Sequence, residues 1–105
     1  MAKIYDVGIA PARTFAGNTK TVSPAAAASL VAVSTPCRAV WIAARMNNDG
    51  SATNTNAVFI GDATNQTMGL AKDDFKGFVI PIDDAQKVYI RPVTSGEGVA
   101  YRILT

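Results

Sequence analysis

The residues that could carry chemistry in this chain are two adjacent carboxylate pairs, Asp73-Asp74 and Asp83-Asp84, a single thiol at Cys37, and the polar run from Asn47 to Asn56. Acid/base catalysis by two carboxylates needs both groups on one reacting atom, and neighbours on an extended chain point to opposite faces. Both pairs therefore read as turn formers and solubilising groups. The chain contains no histidine, so Cys37 has no imidazole to activate it and a Ser-His-Asp triad cannot be assembled within it. Flanked by Pro36 and Arg38, Cys37 reads as a small buried hydrophobe at the start of a strand; as the only cysteine it excludes an intrachain disulfide. Asn47-Asn48-Asp49-Gly50 has a surface likeness to a calcium loop. Placing Gly50 on that motif's glycine puts Arg45 at the first ligand position and Asn56 where a bidentate Glu belongs, so the motif fails at both ends. Gly96-Glu97-Gly98 lacks the third glycine and the following helix of a dinucleotide fingerprint. No enzyme activity, cofactor or metal site is expected.

The elements that must position these residues are short and β-rich. Val40, Ile42 and Ala44 alternate with Trp41, Ala43 and Arg45, which predicts a central strand covered on both sides. Val58-Phe59-Ile60 reads as its return strand, so that the Asn/Asp/Gly/Ser/Thr cluster from Asn47 to Asn56 becomes the long loop of a hairpin. Ser29 to Val33 is expected as a strand stopped by Thr35-Pro36, and Gly61 to Gly69 as a polar connection. Phe75 to Ile82 is expected as a strand with Phe78, Ile80 and Ile82 on one face, at a sheet edge where Pro81 lacks an amide. Val88 to Arg91 and Val99 to Leu104 flank a second hairpin tip, with Val99, Tyr101 and Ile103 sharing a face. Ile4, Val7 and Ile9 are interrupted by Gly8, Pro11 and Gly17, so residues 1–24 read as an extended arm, with a short edge strand possible over Thr19 to Ser23. The expected architecture is an all-β antiparallel sandwich or jelly-roll-like barrel over residues 25–105, preceded by that N-terminal arm. Trp41, the only tryptophan, is the expected core anchor, with Phe59 and Tyr101 beside it.

At 105 residues the chain is one domain, long enough to bury roughly 65% of its unfolded surface. Much of its 49% hydrophobic content is alanine, which predicts a thin core and an advantage to oligomerisation. The net charge is +2 with Lys and Arg scattered singly, so nucleic acid is not an expected partner, although a fold could still gather Arg38, Arg45, Arg91 and Arg102 on one surface. No apolar run is long enough to cross a bilayer as a helix, and Met1 to Asp6 does not open a signal peptide, so the expectation is a protein kept in the cell or released by lysis, with no membrane partner.

The constellation Val40-Trp41-Ile42, Asn47-Asn48-Asp49-Gly50, Asn54 to Asn56, Val58 to Asp62, Ile80 to Asp84 and Val88-Tyr89-Ile90 resembles small tailed-bacteriophage virion proteins of the capsid decoration, or cement, type. The resemblance covers roughly residues 36–104. It implies a non-enzymatic homotrimer on the capsid exterior, made in the host cytoplasm, that binds between major capsid protein subunits. Rigid trimers gain avidity from several weak contacts, and a ligand specific for the assembled shell stabilises it by mass action. Ile4, Tyr5, Val7, Ile9 and Phe15 on the arm are then the expected contacts to the capsid or a sister subunit. The alternatives are a tail or baseplate subunit, or a carbohydrate-binding module of a head or tail fibre. A sugar site would need exposed aromatic rings near the Asn/Asp-rich loop, and the loop sequence itself contains none.

Overall fold

The computed structural model describes residues 15–105. Eight strands form two four-stranded antiparallel sheets: β1 (Phe15–Thr21), β2 (Ala28–Ser29), β3 (Ala39–Ala44), β4 (Val58–Gly61), β5 (Gln66–Leu70), β6 (Phe78–Pro81), β7 (Tyr89–Pro92) and β8 (Gly98–Leu104). A single 3-10 turn, Ala85–Lys87, precedes β7. The first sheet runs β1-β8-β3-β6 and the second β2-β7-β4-β5. Strands thus pair as 1 with 8, 2 with 7, 3 with 6 and 4 with 5. That nesting is the double Greek key of a jelly roll, so the expected all-β sandwich is the fold.

The topology corrects two local expectations. β3 and β4 are not a hairpin: β3 pairs with β6 and β8 in the first sheet, β4 with β5 and β7 in the second. β7 and β8 likewise lie in different sheets. Of all the connections, only β4 to β5 joins neighbours within one sheet. Alternation along a strand specifies which face is buried but not which strand lies alongside, and two apolar strands around a polar loop suit a crossover as well as a hairpin. β5, absent from the sequence reading, buries only its end residues Gln66 and Leu70, so its three middle residues carry no alternating signal. The strand expected over Ser29 to Val33 shortens to Ala28–Ser29. The expected edge strand near the N-terminus is longer and starts earlier: β1 pairs with β8 from Phe15–Leu104 to Thr21–Gly98, so the arm does not extend through residue 24. Ile4, Tyr5, Val7 and Ile9 lie outside the described residues.

The core between the sheets is aliphatic. Val40 and Ile42 from β3 and Val99 and Ile103 from β8 meet Val58, Ile60 and Ile90 from the second sheet, with Leu30, Leu70 and Val88 filling in from β5 and the connections. Pro81 sits on β6, an edge strand, as its missing amide requires. Trp41 is not in this core. Val40 and Ile42 must point inward to bury their branched side chains, and strand alternation then sends Trp41 to the outer face, where it is half-buried. Phe59 is displaced by the same logic: Val58 and Ile60 face inward, and Phe59 lies outside under the Arg91 guanidinium, 4.8 Å from its ring centre. Of the three expected anchors only Tyr101 packs against the core, from its edge.

Ile42→Ala should therefore cost about 2–5 kcal/mol of stability and more than Trp41→Ala. Urea denaturation of the two variants checks the ranking, and the reverse order would restore Trp41 as the anchor.

Candidate functional site

The register gives the sandwich two ends. Leu104 pairs with Phe15 and Ala39, while Gly98 pairs with Thr21, and Val99 with Ala44. The upper end therefore carries the crossover 45–57, residues 71–77 and the 93–97 turn. The lower end carries residues 30–38, the 62–65 turn, residues 82–88 and the junction where residues 1–14 enter β1.

On the outer face of the first sheet, Trp41 lies opposite Arg102 on one side and Val79 on the other. The indole Nε1 donates to the Lys76 carbonyl at 2.9 Å, which fixes the plane of the ring. The ring separates two hollows. The lower one, about 480 Å³, is lined by Trp41, Val79, Arg102 and Leu104. Val79 is 43% exposed there, an apolar side chain that the sequence placed on a solvent-facing strand position. The upper hollow, about 500 Å³, is shared by Trp41, Phe75, Arg45, Asn47, Asn48 and Thr53, with small residues such as Ala44 and Ala100 beneath.

Local chemistry builds the upper hollow. Gly77 turns the chain into β6 with φ +65°, and a Cβ there would fall 1.9 Å from the Ile42 carbonyl oxygen, so only glycine allows this approach. Asp74 completes the turn: its Oδ1 accepts from Gly77 N at 2.9 Å, and its carbonyl accepts from Ala44 N at 2.9 Å. These bonds hold Phe75 beside Trp41. On the opposite wall, Met46 bridges Ala52, and Asp49 accepts from the amide and hydroxyl of Ser51 at 3.0 and 2.6 Å, closing a tight loop at Gly50. Asn47 is fixed by bonds to Ser51 Oγ at 3.0 Å and from Thr53 Oγ1 at 3.2 Å.

The crossover is then clasped to the β7–β8 turn by two buried polar residues. Asn54 acts as a surrogate peptide, its Nδ2 donating to Gly98 O at 2.7 Å and its Oδ1 accepting from Gly98 N at 3.4 Å. Glu97 Oε2 accepts from the amide and hydroxyl of Thr55, both at 2.8 Å, and Oε1 from Asn56 N at 3.3 Å. Burial alone would raise the Glu97 pKa, but the Thr55 and Asn56 donors and the positive charge of Arg45 outweigh it and hold the carboxyl below its ordinary value.

The chemistry-bearing residues singled out from sequence are dispersed. Asp84 caps the 3-10 turn, accepting from Gln86 N at 2.9 Å and Thr35 N at 2.8 Å and from the Ser34 hydroxyl. Asp83 forms an exposed pair with Lys87. Asp73 and Asp74 lie in the 71–77 turn at the upper end, remote from both. Cys37 is half-buried at the lower end, its thiol donating to Ile82 O at 3.2 Å; burial first, and then the charges of Asp84 and Asp83, push its pKa up. Among the described residues no three of His, Cys, Asp and Glu are grouped to hold a metal, and no helix is long and apolar enough to cross a membrane. The four arginines do not share a surface: Arg91 stacks on the second sheet, away from Arg102 on the first. Glu97 and Asn54 were missed as organising residues, and nothing in their sequence neighbourhood marks them. Comparison with protein-family models, with curated proteins and with solved structures finds no match to this chain.

Because the Glu97 pKa is depressed in the folded state, its contribution to stability is present above the unfolded value near 4.5 and is lost as pH falls through the folded value. Glu97→Gln should cost about 1–3 kcal/mol at pH 7, since one acceptor is replaced by an amide donor facing donors. The gap between variant and wild type should narrow below pH 4.5 in denaturant titrations run at several pH values. A gap independent of pH would show that the carboxylate charge contributes nothing.

Proposed function

We propose that this chain is a non-enzymatic structural protein of a phage virion, which decorates and stabilises the capsid by binding between major capsid protein subunits. The observation that carries the reading is the lower hollow. A half-buried Trp, an exposed Val79 and Leu104 form one concave, mainly apolar surface edged by the Arg102 side chain. Aromatic and Arg side chains around a small aliphatic patch are the composition of a binding hot spot. The jelly roll adds support by analogy, because capsid and lectin domains reuse it, although a fold hosts many functions. The likeness of residues 36–104 to decoration proteins points the same way.

The lower end is the particle-facing end in this account. Residues 1–14 precede Phe15, which pairs with Leu104 at the rim of the hollow, and Ile4, Tyr5, Val7 and Ile9 are the arm contacts of this reading. Fourteen residues reach at most roughly 45–50 Å when extended, enough to touch a neighbouring capsomer or a sister subunit. Homotrimerisation follows from the same need for avidity: a hollow of this size is too small to give tight binding alone, and three copies on a lattice act together.

Val79→Glu should leave the unfolding free energy within about 0.5 kcal/mol of wild type, as expected for an exposed position, while abolishing association with particles in a sedimentation assay. Deleting residues 2–14 should also spare the fold and weaken trimer or particle binding. Copy number in purified virions, measured by quantitative mass spectrometry, separates the readings. Hundreds of copies support decoration, a few or tens indicate a tail or baseplate subunit, and none refutes a virion role.

A further inference from the structure

The upper hollow supplies what the loop sequence lacked. Folding brings Trp41 from β3 and Phe75 from the 71–77 turn against the Asn47-Asn48 loop, in a concave space of about 500 Å³. This is within the range of small-ligand sites, which combine apolar surface with a few converging polar groups. We propose that the upper hollow is a saccharide-binding site, and that acidic sugars bind it more tightly than neutral ones.

The lining matches the two surfaces of a sugar ring. A pyranose has a face of C–H groups and a rim of hydroxyls that each donate and accept. An aromatic surface covers the C–H face, and planar amides pair with adjacent hydroxyls because they carry a donor and an acceptor side by side. Trp41 and Phe75 provide the first; Asn48 provides the second, while Asn47, bonded to Ser51 and Thr53, shapes the wall. The Trp41 ring is pinned by its bond to the Lys76 carbonyl, and Asn47 and Thr53 are fixed within the loop, so part of the site is preorganised. Asn48 differs: it is exposed, and its amide makes no hydrogen bond to another described residue, leaving both its donor and its acceptor for a ligand. Arg45 is the only charged side chain in the lining, and its charge also acts on the Glu97 carboxylate behind the wall. A guanidinium that can take a carboxylate in a two-pronged contact favours uronic or similar acidic sugars.

The site does not depend on the virion reading, but it is compatible with it. On that reading the lower end faces the particle, and the upper hollow, across the Trp41 ring, lies toward the far end of the sheet.

The test uses the isolated full chain on an array of bacterial surface polysaccharides, neutral and acidic. Any glycan retained is then titrated by NMR, following the one indole N–H signal, which belongs to Trp41 because the chain has a single tryptophan. At least one glycan should bind and shift that signal. Asn48→Ala should weaken binding about 2- to 10-fold, as expected for loss of a neutral hydrogen bond, and Phe75→Ala at least as much. Arg45→Gln should erase the preference for acidic over neutral sugars, and Met68→Ala, exposed on the other sheet, should change nothing. Asn48 has no role in the fold, so a loss there is not a folding artefact. A blank array overturns the proposal, and so does binding that survives both Asn48→Ala and Phe75→Ala, which would place the ligand elsewhere.

Discussion

Glu97 sits at the end of the β7–β8 turn and accepts hydrogen bonds from Thr55 and Asn56, about forty positions earlier in the chain, while Asn54 pairs with the neighbouring Gly98. The crossover from β3 to β4 spans from one sheet to the other, so no hairpin ladder is available to hold it. Residues 45–57 are rich in Asn, Thr and Ser and contribute little to an apolar core. A buried carboxylate and a buried amide do that work instead, each with its polar atoms partnered, and among the described residues no buried side-chain polar atom is left without a partner. Without the clasp the upper wall of the outer hollow would have no fixed position.

That dependence joins fold to site. The jelly-roll order puts β8 beside β3, and so Arg102 beside Trp41. The inward demand of Val40 and Ile42 then turns the largest side chain of the chain outward. A half-buried tryptophan held by one hydrogen bond becomes a partition between an apolar hollow at one end and a polar one at the other. The two hollows thus adjoin across the Trp41 ring and open toward opposite ends of the sheet. The thin aliphatic core is consistent with this arrangement, since the aromatic surface that would have thickened it is spent on the outside.

Strand identity was largely legible because it depends on local alternation. Val40/Ile42 and Val99/Tyr101/Ile103 took the faces their spacing requires, and Pro81 fell on an edge strand. Pairing was not legible, because a crossover and a hairpin leave the same local pattern; β3 and β4 are the example. Trp41 shows why hydrophobicity alone misplaces anchors: the two β-branched neighbours outvote one indole when only one face can be buried. Phe59 repeats the lesson on the other sheet, with Arg91 as its cover. The upper hollow was half legible. Asn47, Asn48 and the absence of aromatic residues in the loop could be read directly, but Trp41 and Phe75 are brought there by the register and by the turn at Gly77.

The central claim is that the Val79–Leu104 end of the outer face of the β1-β8-β3-β6 sheet, and not the opposite sheet, meets the particle. Hydroxyl-radical footprinting of the free protein and of purified particles, read by peptide mass spectrometry, tests it directly. The account predicts that Val79 and Leu104 are oxidised in the free protein and protected on the particle, while Phe59 and Met68 of the other sheet change little. Equal oxidation of Val79 and Leu104 in both states, with protection of Phe59 and Met68 on the particle, would contradict it.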